Sequence, residues 1–432
     1  MLAAQDQVES YQALLNRLDR ARAETDKLFG LVRPDTLYHR PIAERHRIVF
    51  YIGHLEAFDW NLLRPQSDLQ TFDADLDRLF AFGIDPVDGG LPADQPSDWP
   101  RLEQVRRYGA RIRAALAALL ERGGVSETLL HTAIEHRLMH AETLAYMLHQ
   151  LPLEKKIRQA QAAVPESGQP RAEAIEIPDG CVTLGLSRQA PDFGWDNEYE
   201  GHVVRVPGFA IDRYKVTNGQ FLEFVRAGGY QDRSLWTAAD WGWKTASGVS
   251  HPAFWKKAGN EWRWRTMFDE IPLPHSWPVY VSHAEASAFA RWAGKRLPTE
   301  AEWQRASYGS SDSPFPWGPE TPGPEHGYFD FARWDPLPVD AFPRGRSEFG
   351  VEGLLANGWE WTSTPFGPFA GFQAFPFYEG YSANFFDGKH FVMKGGSTRT
   401  DRSMLRRSFR NWFQPHYPYV YAGFRCAGGG LK

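Results

Sequence analysis

From residue 5 to residue 151 apolar positions recur at intervals of three and four, with Leu, Ala and Arg alternating in the manner of helices that bury one stripe. The pattern predicts four main helices, at residues 5–31, 47–63, 102–122 and 127–151, joined as an antiparallel bundle. Residues 71–100 break the period with Gly, Pro and Asp and read as a long loop, and residues 152–174 read as a polar connector. From residue 175 the text changes to short strand-like pieces at 181–185, 203–206, 209–214 and 391–394. Two helices are predicted among them, at 218–227 and 282–293, the second opened by a capping box of Ser282 and Glu285. The expected organisation is a helical bundle over 1–151, a linker over 152–174 and an α+β domain rich in irregular structure over 175–432. No internal repeat is apparent.

Composition narrows the function classes. A chain of 432 residues with 42% hydrophobic content exceeds what one core usually fills, in keeping with two domains. A formal charge of −5 leaves no electrostatic footprint for nucleic acid or an anionic membrane, and neither partner is expected. No apolar run reaches the length of a membrane span and the first residues lack a secretory pattern, so a soluble, cytoplasmic protein is expected, monomeric or weakly self-associating. Two cysteines, Cys181 and Cys426, are too few for a disulfide framework and read as ordinary buried thiols. The 17 tryptophans gather mostly after Asp192.

The candidate chemistry lies in the bundle. His136 and His140 are four residues apart on a predicted helix, which puts two imidazoles on one face within about 5–6 Å, close enough to share a cation. His54, on the second predicted helix, is a candidate third ligand; three neutral imidazoles leave coordination positions open for substrates. An isolated pair at this spacing is common in helices with no metal, so spacing alone leaves a structural role open.

The stretches Glu176–Gly185, Lys215–Phe221, Pro278–Ala286, Arg296–Trp303, Asn357–Thr362 and Lys394–Ser397, in that order, resemble the formylglycine-generating-enzyme (sulfatase-modifying factor) fold, a C-type-lectin-like α+β architecture. The first 150 or so residues, with His54 and the 136–142 segment, resemble a DinB-type four-helix bundle. Joined in this order, the halves resemble the ergothioneine-type sulfoxide synthases. That resemblance implies Fe(II) held by His54, His136 and His140, with O2 as co-substrate, in a bundle whose site the second domain covers. It implies a reaction at C2 of the imidazole of hercynine, Nα-trimethylhistidine, with a small-molecule chalcogen donor. Tyr381, or else Tyr378, would deliver a proton or hydrogen atom, while Asn411 and Trp412 would contact hercynine; Glu142 is a candidate for orienting a ligand, with an exposed position the alternative.

For the donor, family members that use cysteine or γ-glutamylcysteine tend to grip its carboxylates with arginines from the long bundle loop. Here residues 71–100 hold one arginine, Arg78, and seven aspartates, a composition suited to hydroxyls. With Met139 before the last ligand and the segments 50–60 and 80–86, the chain looks most like the selenoneine synthase branch, which takes a selenosugar. The alternatives are a sulfoxide synthase using cysteine or γ-glutamylcysteine, a formylglycine-generating enzyme, and a zinc thiol transferase or lectin-like binding module.

Overall fold

A computed structural model describes residues 10–81, 91–160 and 168–429. The chain divides into two compact units, Met1–Ala160 and Gln161–Lys432.

In the first unit the long helices are α1 (Tyr11–Phe29), α2 (Ile48–Leu63), α4 (Leu102–Glu121) and α5 (Glu127–His149), with a short α3 (Ala74–Leu79) between the second and third. The Ser10 side chain caps α1 by accepting from the Ala13 amide, and the predicted start at residue 5 lies outside the described residues. α1 packs on α5, and α2 on both α4 and α5. α2 and α5 are buried on nearly every face, and the buried set includes His54, Glu56, Asp59, His136, Arg137, His140 and Glu142. Charged residues at such depth persist only when paired, hydrogen-bonded or ligating.

Two predictions for this unit need adjustment. Residues 71–100 are not a bare loop, because Asp73 caps α3 by accepting from Leu76 N–H at 3.1 Å. The start of the expected connector is tied to the bundle, where Ile157 N–H donates to Leu31 O at 2.7 Å and Arg33 N–H to Lys155 O at 3.3 Å. Among the described residues no helix is long and apolar enough to cross a membrane.

The second unit mixes short sheets and helices. β1 (Ala174–Ile177), β4 (Phe209–Asp212) and β12 (Ala427–Gly429) form one sheet; β2 (Gly180–Leu184) and β3 (His202–Val206) form a ribbon; β5 (Trp255–Ala258), β6 (Glu261–Arg265) and β7 (Glu270–Pro272) form a third sheet. The fourth has the order β10-β9-β8-β11, with β8 at Trp359–Pro365, β9 at Phe391–Lys394, β10 at Asn411–Phe413 and β11 at Ala422–Gly423; only the β8–β11 pairing is parallel. The helices are α6 (Asn218–Arg226), α7 (Ala238–Ala246), α8 (His283–Trp292) and α9 (Glu300–Tyr308). The Ser282–Glu285 capping box opens α8 as its spacing predicted, and Thr299–Glu302 opens α9, a helix the periodicity had not revealed. A core of Ile177, Val182, Phe209, Ile211, Trp303 and Leu354 joins the first two sheets to α9.

Candidate functional site

His54 leaves the middle of α2, and His136 and His140 leave one face of α5 a turn apart; all three are buried. Each offers a ring nitrogen within 4.8 Å of the others, and the Nε2 atoms of His54 and His140 are 3.3 Å apart. The rings are fixed by stacking: Phe58 lies on His136 at 3.4 Å between centroids and Phe50 on His54 at 4.8 Å. His54 Nδ1 is 2.7 Å from Phe80 O. A carbonyl only accepts, so Nδ1 carries the proton and the neutral ring presents its Nε2 lone pair to the cluster.

Burial, outweighing that hydrogen bond, pushes the His54 imidazole down to about 4. Burial likewise holds His136 and His140 well below the usual histidine value, with neighbouring imidazoles adding to it. Three imidazoles kept neutral with nitrogens facing one another fit a divalent transition metal. Ligands about 2.1 Å from a shared ion stand about 3 Å apart, close to the observed Nε2 separation. Glu142 is buried, which removes the exposed alternative for it.

Behind the histidines lies an ion network that the sequence reading did not find. Arg137, wholly buried, donates to Glu56 Oε1 at 3.1 Å, to Asp59 Oδ2 at 2.8 Å and to Leu55 O at 2.7 Å. Arg113 of α4 donates to Glu56 Oε1 at 2.7 Å, and Arg22 of α1 to Asp59 Oδ2 at 3.3 Å. Burial pushes the Glu56 carboxyl up, but Arg137 and Arg113 outweigh it and hold the group well below the ordinary carboxylate range. The network crosses from α2 to α5 one residue from His136 and two from His54, so it fixes the helix register that brings the three imidazoles together. The only hint in sequence was the presence of charged residues inside otherwise apolar helices.

The described aspartates of the acidic segment all have partners within the protein, those of Asp75 and Asp98 at the surface. Asp73 caps α3, Asp75 pairs with Arg78 at 2.5 Å, and Asp98 accepts from Gln95 N–H at 2.7 Å. Asp77 accepts from Tyr108 Oη at 2.7 Å, from Trp60 Nε1 at 3.2 Å and from Thr71 Oγ1. Asp94 accepts from Arg47 Nε at 2.8 Å and Trp99 Nε1 at 2.7 Å, and also pairs with Arg40. Five of the seven aspartates are thus engaged within the protein; the other two, Asp85 and Asp88, lie outside the described residues. The loop's acidity therefore gives no support of its own to recognition of hydroxyls.

In the second unit the remaining predicted site residues come together. Tyr381, buried, stacks on Trp195 at 4.0 Å, with its ring 5.4 Å from both Trp412 and Tyr378. Trp412, half-buried on β10, stacks on Phe366 at 4.1 Å, and Asn411 Oδ1 accepts from the Trp412 amide at 2.8 Å. Arg410, held by both oxygens of Glu300 at 2.9 and 3.1 Å, lies 5.0 Å from the Phe366 ring. Trp195, Phe366 and Arg410 were not singled out from sequence. The aromatic wall of Trp195, Tyr381, Trp412 and Phe366 matches the needs of a quaternary ammonium.

Cys181 is exposed, contrary to expectation, since it faces outward on β2; Cys426 is buried, and burial pushes its thiol far up. A thiol so held stays protonated and is a poor oxidation catalyst. Glu320, Glu325 and His326 form a second cluster of possible ligands, but His326 Nδ1 already accepts from Gly323 N–H at 3.1 Å and the ring stacks on Trp317 at 4.3 Å.

Comparison with known proteins accords with this layout. The family described as "Sulfatase-modifying factor enzyme 1-like domain" matches residues 160–429. The "Hercynine oxygenase" of Mycobacterium tuberculosis is 37% identical over 335 residues, covering 75% of this chain and 77% of that one. The protein of the same name from Mycolicibacterium smegmatis is 35% identical, covering 78% and 79%. "Ergothioneine biosynthesis protein 1" of Schizosaccharomyces pombe is 27% identical and covers 91% of this chain, which spans 53% of that protein. The chain belongs to the sulfatase-modifying factor family and, within it, to the ergothioneine-type group that includes the hercynine oxygenases.

Proposed function

We propose that this protein is a non-haem Fe(II), O2-dependent synthase that joins selenium from a selenosugar to C2 of the imidazole of hercynine. The observation that carries the reading is the convergence of His54, His136 and His140 as three buried, neutral imidazoles. These three would hold the iron, which when bound supplies the one-electron chemistry linking O2 reduction to oxidative coupling. The helix order, with ligands on the second and last long helices, supports a DinB-type bundle for residues 1–151.

The chain's own residues do the rest. Trp412 offers an aromatic face to the trimethylammonium, and the Asn411 amide is a donor for the carboxylate, which together orient the imidazole. Tyr381 Oη is the proton or hydrogen-atom donor, with Tyr378 beside it as the second candidate. Packing against Trp195 holds the Tyr381 ring in one place.

The selenosugar reading rests on likeness at Met139 and at residues 50–60 and 80–86. The competing donor, cysteine or γ-glutamylcysteine, is favoured by kinship to hercynine oxygenases and ergothioneine biosynthesis proteins. Purified iron-loaded protein given hercynine and a donor panel, with and without O2, decides by mass spectrometry of products. A selenium adduct formed only with O2 is expected; a cysteine or γ-glutamylcysteine sulfoxide alone would refute the selenium assignment. Zinc in place of iron, with no O2-dependent product, would refute the whole reading in favour of a thiol transferase or binding module.

A further inference from the structure

The α3 segment contains no proposed metal ligand, yet it touches one. Phe80, just past the end of α3, accepts His54 Nδ1–H on its carbonyl at 2.7 Å, while its own amide donates to Leu76 O at 3.0 Å. Its ring lies flat against the backbone of Gly53: a Cβ there would come within 2.5 Å of the ring atoms. What keeps this six-residue helix in place is Asp77, whose buried carboxylate gathers Tyr108 of α4, Trp60 of α2 and Thr71. A helix this short has little stability of its own. The path from Asp77 to the Phe80 carbonyl is one turn of backbone.

We propose that Asp77 is a positioning residue for the metal centre. It braces α3 so that the Phe80 carbonyl holds the proton on His54 Nδ1 and keeps Nε2, the nitrogen 3.3 Å from His140 Nε2, as the ligating atom. Without the brace the Phe80 carbonyl retreats, and the ring is free to exchange tautomers or turn away. The inference rests on the reading that the three histidines bind a metal.

Asp77→Asn tests it. The amide keeps the shape of the side chain but turns one acceptor into a donor facing hydroxyl and indole donors. Metal-free parent and variant are titrated with Co(II), which reports imidazole ligation through its visible absorption, and far-UV circular dichroism checks that both are folded. The variant is expected to bind Co(II) about 10- to 100-fold more weakly with an altered spectrum. Leu18→Ala, which opens a cavity in α1, a helix that supplies none of the hydrogen-bond partners given for Asp77 or Phe80, should lower thermal stability yet leave the Co(II) affinity and spectrum as in the parent. If Asp77→Asn does not fold, Tyr108→Phe removes one donor to the same carboxylate and should give a smaller loss with the same spectral change. Affinity and spectrum equal to the parent's in the folded variant, or an equal loss in Leu18→Ala, would overturn the positioning role alone. A parent that takes up no Co(II), indistinguishable from His136→Ala, would overturn the metal reading and this inference with it.

Discussion

Acidifying the metal-free protein should destabilise its helical unit through the three clustered histidines, and His54 sets the scale. Its imidazole is held at about 4 in the fold against 6.5 for the free side chain, with burial the main cause. Between these values the unfolded chain takes up a proton that the folded chain refuses, so stability is fully present above about pH 6.5 and declines as the pH falls toward 4. At about 1.4 kcal/mol per pH unit the full displacement is worth about 3 kcal/mol, of which about 2 kcal/mol is lost by about pH 5. His136 and His140 are shifted in the same direction and add to the loss. Urea unfolding of metal-stripped parent and His54→Leu, followed by far-UV circular dichroism at about pH 8 and about pH 5, isolates the effect. The substitution breaks the bond to Phe80 at both pH values and removes the titration at only one. The parent should lose about 2 kcal/mol more than the variant between the two conditions. Equal losses would show that the buried ring accepts a proton in the fold, and the argument from desolvation would fail.

Four further outcomes follow from the geometry. His136→Ala or His140→Ala should abolish iron retention and coupling together, whereas Tyr381→Phe should retain iron, read by metal analysis, and change the rate or product distribution; a Tyr381→Phe enzyme identical to the parent would remove that residue from the chemistry. Arg137→Leu takes one of two arginines from each of two buried carboxylates, leaving Glu56 to Arg113 and Asp59 to Arg22, and should destabilise the helical unit by about 1–3 kcal/mol in urea unfolding, with no measurable loss contradicting the network's role. Asp94→Asn weakens the pairing to Arg40 and Arg47 and should cost about 1–3 kcal/mol of stability while leaving donor preference unchanged in the product assay.

The helical period made His136 and His140 legible as a pair, because a spacing of four fixes two side chains on one face whatever surrounds them. The distance of His54 from them in the chain put it beyond any periodic argument; its place on a second apolar helix made it a candidate, and family resemblance joined it to the pair. Arg137, Glu56 and Asp59 were harder still: a charged residue in a helix ordinarily marks the solvent face, and here it marks the interior, since each charge is met by one from another helix. The capping box at Ser282 announced α8, while α7 and β5 to β7 fall in a Trp-rich stretch where bulky side chains at every interval blur both periods. The cluster around Tyr381 depends on Trp195, nearly two hundred residues away, a contact no local pattern encodes.

The acidic segment shows why composition and chemistry must be kept apart. Seven aspartates against one arginine suggested a surface for hydroxyls, but a carboxylate can serve a substrate only if the fold leaves it unspent. Asp73 and Asp98 satisfy backbone amides, Asp75 answers the lone arginine, Asp94 ties two arginines of the neighbouring chain segment, and Asp77 braces the turn that ends on His54's hydrogen-bond partner. Asp77 ties α3 to α2 and α4, and Asp94 ties residues 91–100 to Arg40 and Arg47, whereas the Asp75–Arg78 pair and the Asp98 contact are local and exposed. Of the five described aspartates, Asp77 in particular serves the architecture that presents His54 to its partners, so a count of acidic residues does not by itself assign the segment a substrate.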